Sequence, residues 1–352
     1  MKYQDIAKEK FERLKSKEDV LILSVESSCD ETSIALVKNG REVLSNIVST
    51  QIEIHKQFGG VVPEVASRNH IKNISGVLKE ALAAAGKTLQ DVDAVAVTYG
   101  AGLVGALLVG VNFAKTLAYC LKVPLIAVSH VHGHIGANYI SHAELKPPFL
   151  CLMVSGGHTA IVDVQDYCKF NLLGSTVDDS VGECFDKVAR VLGLSYPGGP
   201  NIDRLAKLGE NKVQFNYKPP LKDSLNFSFS GLKTAVVNFV HNKEQKGEGF
   251  SKEDVACSFQ ELVTEELVGK TMRACAEFGH KKLVVAGGVG ANSRLREGLK
   301  ENCEKNGVEL FLPALKFCTD NAAMIGSIAY YYILSGIGLA DLKLTAKPTV
   351  AI

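Results

Sequence analysis

Two stretches decide the fold of this chain: residues 21–37 (LILSVESSCDETSIALV) and residues 150–164 (LCLMVSGGHTAIVDV). Each has an apolar strand, a short turn of small polar residues and a second strand rich in β-branched side chains. Because they open the two halves of the chain, they fit an internal duplication, and chance similarity between two hairpins is the alternative. Two such turns facing one cleft can hold phosphate groups from both sides with backbone N–H groups.

The length supports a division into two lobes. A chain of 352 residues exceeds the roughly 250–300 residues at which a single core stops growing. We place the boundary in the segment ELKPPF, with an N-terminal lobe of residues 1–147 and a C-terminal lobe of residues 148–352. The last helices are free to pack back on the first lobe. The arrangement resembles the two-lobed fold with a central cleft that actin, the heat-shock chaperone ATPases and the sugar kinases share.

Strand-like and helical patterns alternate along the chain, which predicts an α/β protein. The predicted strands are residues 20–25, 33–37, 43–48, 94–98, 125–128, 149–154, 160–164, 282–286 and 309–312. The predicted helices are residues 64–85, 103–121, 181–192, 232–241, 252–279, 293–306 and 322–334.

The composition predicts a soluble, cytoplasmic protein. The chain has 39 basic and 38 acidic residues, so it has no overall field that attracts a polyanion, and a nucleic-acid role needs a local patch or a partner protein. Its nine cysteines include no C-x-x-C pair, a pattern typical of reduced thiols. The charged first 19 residues do not resemble a signal peptide, and no run of 18 apolar residues indicates a membrane span.

The segment SHVHGHIGANYI contains the pair His130 and His134. On a helix, residues four apart share one face, so both imidazoles can bind one metal ion while His132 points elsewhere. The residues alone also fit two ordinary buried or surface histidines. Val131 stands where a zinc protease of the H-E-x-x-H type carries its general base, which disfavours that peptidase mechanism.

Three glycine-rich segments are candidate ligand sites. Residues 100–105 (GAGLVG) match the dinucleotide pattern, but no acidic residue follows before Glu144, so glycines for close packing are the better interpretation. Residues 155–159 (SGGHT) fit either an anion-binding turn or a plain hairpin. In residues 287–299 (GGVGANSRLREGL), Asn292 or Ser293 can cap a helix, and a ligand above the turn would meet N–H groups and the Asn292 amide.

Two acidic residues of the second half are each ambiguous. Asp186 lies on a helix face with Arg190, four residues on, and either pairs with it or faces a ligand. Asp203 follows a Pro/Gly segment, and we place it in the first turn of a helix, where the helix dipole stabilises an anion.

Nine motifs in chain order together resemble the TsaD (Gcp) family, in its bacterial and organellar branch. They are SVESSCDETSIALV, FGGVVPEVASRNH, TYGAGLVGALLVG, SHVHGHI, VSGGHT, GECFDKVARVLGLSYPGGPNID, FSFSGLKTAV, AGGVGANSRLRE and CTDNAAMIG. The resemblance implies transfer of a threonylcarbamoyl group from threonylcarbamoyl-AMP to the exocyclic amine of the tRNA adenosine just 3′ of the anticodon.

The resemblance also implies the site residues. It assigns one divalent metal, Fe(2+) in preference to Zn(2+), to His130, His134 and Asp320. It assigns the donor to a set in the second half of the chain: Val154, Ser155, Gly156, Gly157, His158, Asp186, Gly199, Asp203 and Asn292. Asp320 precedes a helical pattern, so an N-cap without a metal is the competing interpretation.

Glu26 and Asp30 are secondary candidates, because carboxylates in the first hairpin turn face the cleft in related folds. Polar residues that merely solvate a turn are the alternative for both. ATP is a further possible ligand. The competing functions are a metalloendopeptidase acting on glycoproteins and a non-catalytic scaffold that binds ATP or DNA.

The helices predicted at residues 64–85 and 103–121 carry apolar or small residues over much of their surface. Such a surface is buried either under this chain's own sheet or in another subunit. The resemblance names the partners as a TsaB-like paralogue and a TsaE-like ATPase, besides tRNA.

Overall fold

Eleven strands and eleven α-helices make up the computed structural model, which describes residues 2–351. The strands are β1 (Leu21–Glu26), β2 (Glu31–Lys38), β3 (Glu42–Thr50), β4 (Ala94–Gly100), β5 (Leu125–Ser129), β6 (Phe149–Val154), β7 (Thr159–Asp166), β8 (Lys169–Ser175), β9 (Lys282–Ala286), β10 (Glu309–Phe311) and β11 (Leu339–Ala340). The helices are α1 (Tyr3–Leu14), α2 (Ile52–Lys56), α3 (Pro63–Ala85), α4 (Val104–Leu121), α5 (His130–Ser141), α6 (Val181–Val191), α7 (Gly198–Ala206), α8 (Ser230–Gln245), α9 (Lys252–Glu277), α10 (Ser293–Asn306) and α11 (Ala322–Leu334).

The two sheets repeat one topology. The first has the order β11-β5-β4-β1-β2-β3 and the second the order β10-β9-β6-β7-β8. In each, three consecutive strands form an antiparallel meander, and two later strands add in parallel beside its first strand. Only β11 has no counterpart. The shared order confirms the duplication, whereas the division of the chain between residues 147 and 148 stays a prediction.

Helices α5 and α11 form the layer between the two sheets. The largest buried cluster joins both helices to strands of both sheets, for example Ile22 of β1 and Met153 of β6. The helices approach closely because α5 carries glycine at the contact: a Cβ on Gly136 would lie 2.8 Å from the Met324 carbonyl oxygen. The first turn of α11 is tied to β1 by the Ser24 hydroxyl, which donates to the Ala322 carbonyl at 2.6 Å. The starts of α5 and α11 therefore lie side by side.

Helix α4 is the only helix between residues 2 and 351 with the length and apolarity of a membrane span, at a mean hydropathy of 1.6. It packs on β4 and buries one face, including Leu107 and Val111, as a core helix of a globular domain does. The glycines before it serve close packing: a Cβ on Gly102 would lie 2.6 Å from the Ser28 carbonyl oxygen, and one on Gly105 would lie 2.5 Å from Ser67 Oγ. This confirms the packing interpretation of residues 100–105.

The structure contains elements that the sequence patterns did not predict. Strand β8 lies at a sheet edge and is mostly exposed, and β11 has two residues, so neither shows a clear apolar pattern. The placement of Asp203 in a first helical turn was wrong. Helix α7 begins at Gly198, which makes Asp203 its sixth residue, because a proline within the first turn of a helix, here Pro200, does not prevent helix formation.

Candidate active site

The three predicted metal ligands meet at the starts of the two central helices. His130 and His134 lie on one face of α5, with ring centroids 4.7 Å apart. Asp320 Oδ1, just before α11, lies 3.4 Å from His130 Nε2 and 3.3 Å from His134 Nε2. One ligand atom from each residue lies within 4.8 Å of the others. The tertiary structure thus brings two imidazoles and one carboxylate together at one point, and we call His130, His134 and Asp320 the triad.

The donor set fits a divalent metal. His134 is 1% exposed, and within residues 2–351 neither of its ring nitrogens has a hydrogen-bond partner. Leaving a buried polar group without a hydrogen-bond partner is costly, and binding of a metal ion by His134 would remove that cost. Two imidazoles and one carboxylate are ligands that suit both iron(II) and zinc.

The charges around the triad favour the ligating form of the carboxylate. Burial alone would lower the pKa of His130, but the carboxylates of Asp320 and Glu26 outweigh it and raise that pKa. Burial alone would raise the pKa of Asp320, but His130 and His134 lower it. Asp320 is therefore an anion at neutral pH, which is the form that binds a cation.

Asp320 is not the cap of α11. The N-cap is Asn321, whose side-chain oxygen accepts from the Met324 N–H at 3.1 Å. Two further N–H groups of this helix start are bound by the first sheet: Ala322 donates to Ser33 Oγ and Ala323 to Asn46 Oδ1. The interpretation of Asp320 as an N-cap was therefore wrong, and its carboxylate is left for the triad.

This assignment predicts the effect of removing the true cap. We expect Asn321→Ala to lower the free energy of unfolding by about 1 kcal/mol, the usual contribution of an asparagine N-cap. Chemical denaturation of the metal-free protein measures this, because it separates the cap from any metal effect. An unchanged free energy of unfolding would contradict the assignment of Asn321 as the cap.

Glu26 occupies a different place from the one predicted. It ends β1, is 0% exposed, and lies behind His130 with Oε2 3.2 Å from His130 Nδ1. The expectation that Glu26 faces the cleft was wrong, because the turn begins only after it. Asp30, in the turn itself, is 5% exposed, and its Oδ2 accepts from the Tyr196 hydroxyl at 3.4 Å.

The turn between β6 and β7 holds two N–H groups ready for a ligand. Gly156 and Gly157 are exposed, and no acceptor for either N–H is found in the described part of the chain. The turn is fixed from behind, since the Ser155 N–H donates to the His158 carbonyl and the Ser180 hydroxyl donates to the Gly156 carbonyl.

The glycines of this turn are not explained by the fold. A Cβ on Gly156 or Gly157 would meet no atom within 4 Å, and neither residue has a positive φ. Backbone conformation is therefore not what requires a glycine at position 156. Both glycines have an ordinary backbone conformation and open space next to the main chain. A ligand that contacts the main chain requires such space.

His158, at the end of this turn, lies close enough to the triad to be influenced by its charges. Burial and the positive charges of His130 and His134 lower the pKa of His158 to about 4, so its ring is neutral at physiological pH. A neutral imidazole can donate one hydrogen bond and accept another. The predicted donor-binding turn and the predicted metal ligands are thus neighbours in one site.

The other predicted donor contacts are linked along the second lobe. Asp186 Oδ1 accepts from the Gly198 N–H at 2.7 Å, and burial raises the pKa of Asp186 despite this contact and that with Gly199. Asp203 Oδ1 accepts from the Ser293 hydroxyl at 2.7 Å, which joins α7 to the start of α10. These hydrogen bonds join α6 to α7 and α7 to the start of α10.

Two further predicted donor contacts, Asn292 and Val154, lie at the start of α10 and the end of β6. Of the two predicted cap candidates, Asn292 and Ser293, the N-cap of α10 is Asn292, because its Oδ1 accepts from the Leu295 N–H. Its Nδ2 donates to Gln260 at 2.7 Å, which leaves one amide hydrogen for a ligand. The Val154 carbonyl oxygen would lie 2.4 Å from a Cβ on Gly287, so the glycine lets the turn before α10 abut the end of β6.

Two residues of the site escaped the sequence analysis. Burial and the negative charges of Asp30 and Asp320 hold the pKa of Glu31 well above its ordinary value, which places Glu31 in the same carboxylate group. Its position next to Asp30 in the first hairpin was a usable signal. Tyr196 reaches Asp30 from the other lobe, a contact across 166 positions that local patterns do not reveal.

Comparison with known proteins identifies the family. The model of the family described as TsaD, tRNA N6-adenosine threonylcarbamoyltransferase, matches residues 42–327. A protein of that name from Clostridium perfringens strain 13 is 55% identical over 331 residues, which cover 94% of this chain and 97% of the relative. One from Clostridium botulinum strain Hall is 57% identical over 321 residues, 91% of this chain and 94% of the relative.

Solved structures support the fold. The crystal structure of T. kodakarensis HypF has a TM-score of 0.62 at 15% identity and covers 90% of this chain and 48% of its own. The Acidaminococcus fermentans (R)-2-hydroxyglutaryl-CoA dehydratase component A has a TM-score of 0.53 at 15% identity. The match covers 89% of this chain and 99% of that structure's chain. At these identities the likeness concerns the fold alone, and it confirms the predicted two-lobed α/β architecture. From the family match and the near-complete alignment with its members, the chain belongs to the TsaD family of tRNA N6-adenosine threonylcarbamoyltransferases.

Proposed function

We propose that this protein transfers a threonylcarbamoyl group from threonylcarbamoyl-AMP to the exocyclic amine of the tRNA adenosine 3′ of the anticodon. The observation that carries the proposal is the pair of unengaged N–H groups at Gly156 and Gly157, held beside the His130, His134 and Asp320 triad. In the reaction the amine attacks the carbamoyl carbon and forms a C–N bond. The bond from that carbon to the phosphate oxygen breaks, AMP leaves with the electron pair, and the amine nitrogen releases one proton to the solvent.

The residues of the turn provide binding and electrostatics for this step. The N–H groups of Gly156 and Gly157 donate to oxygen atoms of the donor on which negative charge develops. The neutral ring of His158 offers a further hydrogen bond. Val154 and Ser155 place the turn, and Asp186, Gly199, Asp203 and Asn292 form the wall against which the nucleotide part lies. Positioning supplies most of the rate.

The triad is proposed to hold one divalent metal, with iron(II) preferred over zinc. His130, His134 and Asp320 provide two nitrogen ligands and one oxygen ligand, the combination typical of non-haem iron(II) sites with open positions. When bound, the metal supplies a Lewis acid that polarises and orients the donor. Metal analysis of protein purified without chelators or an affinity tag identifies the ion.

The rival peptidase function lacks its catalyst. Val131, next to His130, is fully buried in the core, so no general base stands there. Glu26 contacts His130 but is 0% exposed and cannot reach a water molecule in the cleft. A scaffold without catalytic activity does not explain why the triad and the turn lie next to each other.

One reconstitution assay separates these functions. The protein is incubated with ATP, threonine, bicarbonate, an adenylate-forming enzyme, the partner proteins and tRNA, and the modified nucleoside is measured by mass spectrometry. We expect the modified nucleoside and no cleavage of a glycoprotein substrate. Peptide cleavage, or neither product, would contradict the proposal. Competition between ATP and the adenylate for binding tests whether ATP is also a ligand.

We further propose that α3 and α4 form the surface for a TsaB-like paralogue, with a TsaE-like ATPase joining the assembly in the cytoplasm. The two helices pack on each other. Ile71 of α3 is 65% exposed, and Val104 and Leu108 of α4 are also exposed. Exposed apolar side chains on adjacent helices favour burial against another protein.

The partner surface yields a prediction. We expect Ile71→Glu and Leu108→Glu to abolish capture of the TsaB-like paralogue in a pull-down, because each places a charge in an apolar contact. Leu172→Glu is the matched control, since Leu172 is an exposed leucine on the edge strand β8. Equal capture by all three variants would contradict the proposed surface.

A further inference from the structure

Glu26 makes an unusual set of contacts for a carboxylate. It is 0% exposed at the end of β1, and its Oε1 accepts from the Ser28 N–H at 2.6 Å. Its Oε2 accepts from the Thr98 hydroxyl at 2.5 Å and lies 3.2 Å from His130 Nδ1. Burying a carboxylate is costly unless its hydrogen bonds are satisfied, and here both oxygens have partners. Since solvent and substrate cannot reach it, the only group at the site that Glu26 can act on is His130.

The contact between Glu26 and His130 selects one tautomer of the imidazole. An ionised carboxylate can only accept hydrogen bonds, so the hydrogen must be on His130 Nδ1. In the neutral ring this leaves the lone pair on Nε2, the nitrogen that lies 3.4 Å from Asp320 Oδ1. In that neutral form, Nε2 can bind a cation at the point where the triad converges.

We propose that Glu26 is a positioning residue that holds His130 in the tautomer and orientation that ligate the metal. This inference rests on the metal site of the proposed function. A ligating histidine commonly donates from its other ring nitrogen to a carboxylate, which fixes the ring and strengthens the ligand. His134 has no such partner within residues 2–351, since its Nδ1 lacks a hydrogen bond. Glu26 therefore acts on His130 and has no equivalent at His134 within the described residues.

The substitution Glu26→Gln tests the tautomer directly. The Ser28 N–H is a fixed donor, so the new side-chain amide must turn its oxygen toward Ser28 and its NH₂ group toward Thr98 and His130. An N–H group facing His130 Nδ1 favours the tautomer with the hydrogen on Nε2, which blocks ligation. Ser28 Oγ, 3.1 Å from the same nitrogen, can still accept from an Nδ1 hydrogen and limits the loss.

Zinc affinity is the first measurement, with Zn²⁺ alone as the probe and a chromophoric chelator as the competitor. We expect Glu26→Gln to bind Zn²⁺ about 10–100-fold more weakly than the unmodified protein, the usual effect of removing such a partner. The matched control is Thr98→Val, which removes a hydrogen bond to the same Glu26 oxygen but keeps the carboxylate and its contact with His130. A purely structural role would weaken zinc binding equally in both variants and would overturn the proposal.

The outcomes distinguish this inference from the proposed function. No zinc binding by the unmodified protein would overturn the metal site and this inference together. Equal zinc binding by the unmodified protein and Glu26→Gln would overturn the role of Glu26 alone. If Glu26→Gln does not fold, NMR of ¹⁵N-labelled histidine rings in the zinc-loaded unmodified protein still shows which nitrogen of His130 carries the hydrogen. We expect His130 to carry its hydrogen on Nδ1 and to ligate through Nε2, and ligation through Nδ1 would overturn the proposal.

Discussion

Loss of bound metal is the expected result of three separate substitutions, His130→Ala, His134→Ala and Asp320→Ala. Each should also reduce threonylcarbamoyl transfer by at least about 100-fold, because removing even a hydrogen-bond partner of a metal ligand lowers metal affinity or activity about 10–100-fold. The reason is geometric. Asp320 Oδ1 lies 3.3–3.4 Å from both imidazole Nε2 atoms, so each residue supplies one of three converging ligand atoms. Metal content by mass spectrometry and formation of the modified nucleoside measure the two effects.

His132→Ala is the matched control for this prediction. His132 lies on the same helix, but its Nδ1 bonds to the Tyr332 hydroxyl and its ring packs on Phe170, with centroids 4.1 Å apart. Burial lowers the pKa of His132 to about 4, so it is a neutral packing residue. We expect this variant to lose melting temperature while it keeps metal and transfer. Metal loss in His132→Ala, or full metal content in Asp320→Ala, would contradict the assignment of the triad.

Gly156→Val should reduce transfer by about 100-fold or more and leave the melting temperature close to that of the unmodified protein. A Cβ at this position would meet no atom within 4 Å, so we expect the substitution to leave folding intact. The donor would be held away from the N–H groups of the turn, and a displacement of about 1 Å can cost about 100-fold in rate. Thermal melting and initial rates of transfer measure the two expectations.

Two further glycine variants serve as controls for Gly156→Val. Gly249→Val is the neutral control, because a Cβ there also meets no atom within 4 Å and the residue lies in the loop between α8 and α9. Gly287→Ala is the structural counterpart, because Gly287 has a φ of +96° and its Cβ would lie 2.4 Å from the Val154 carbonyl oxygen. We expect the first to keep both properties and the second to lose stability. Unfolding of Gly156→Val would show that the turn is only a hairpin.

Local sequence patterns, including continuous apolar runs, determined several elements. The predicted helices at residues 293–306 and 322–334 and the strands at residues 149–154 and 282–286 match the structure at both ends. The helical spacing of His130 and His134 placed both rings on one face, and Asn292 was identified as a possible cap from its position before a predicted helix. These features depend on contacts within a few residues, so the sequence alone carries them.

The meeting of Asp320 with the histidine pair was not determined by local pattern. From the residues alone, His130 and His134 fit ordinary packing, and Asp320 fit a helix cap. The family resemblance named the three together, and the structure gave the reason: α5 and α11 pack closely through Gly136, while Asn321, Ser33 and Asn46 satisfy the start of α11.

The sequence by itself determined the duplicated hairpins, the alternation of strands and helices, and the family to which the motifs belong. Only the tertiary structure decided which polar residues face the cleft. Glu26 and Asp30 stand four residues apart in one motif, yet Glu26 is fixed behind His130 and Asp30 contacts Tyr196 of the other lobe. Likewise, Gly156 lies under open space whereas Gly287 packs against a carbonyl group. The physical reason is that the deciding contacts, Glu26 with His130 and Asp30 with Tyr196, join chain segments more than 100 residues apart, which no local period encodes.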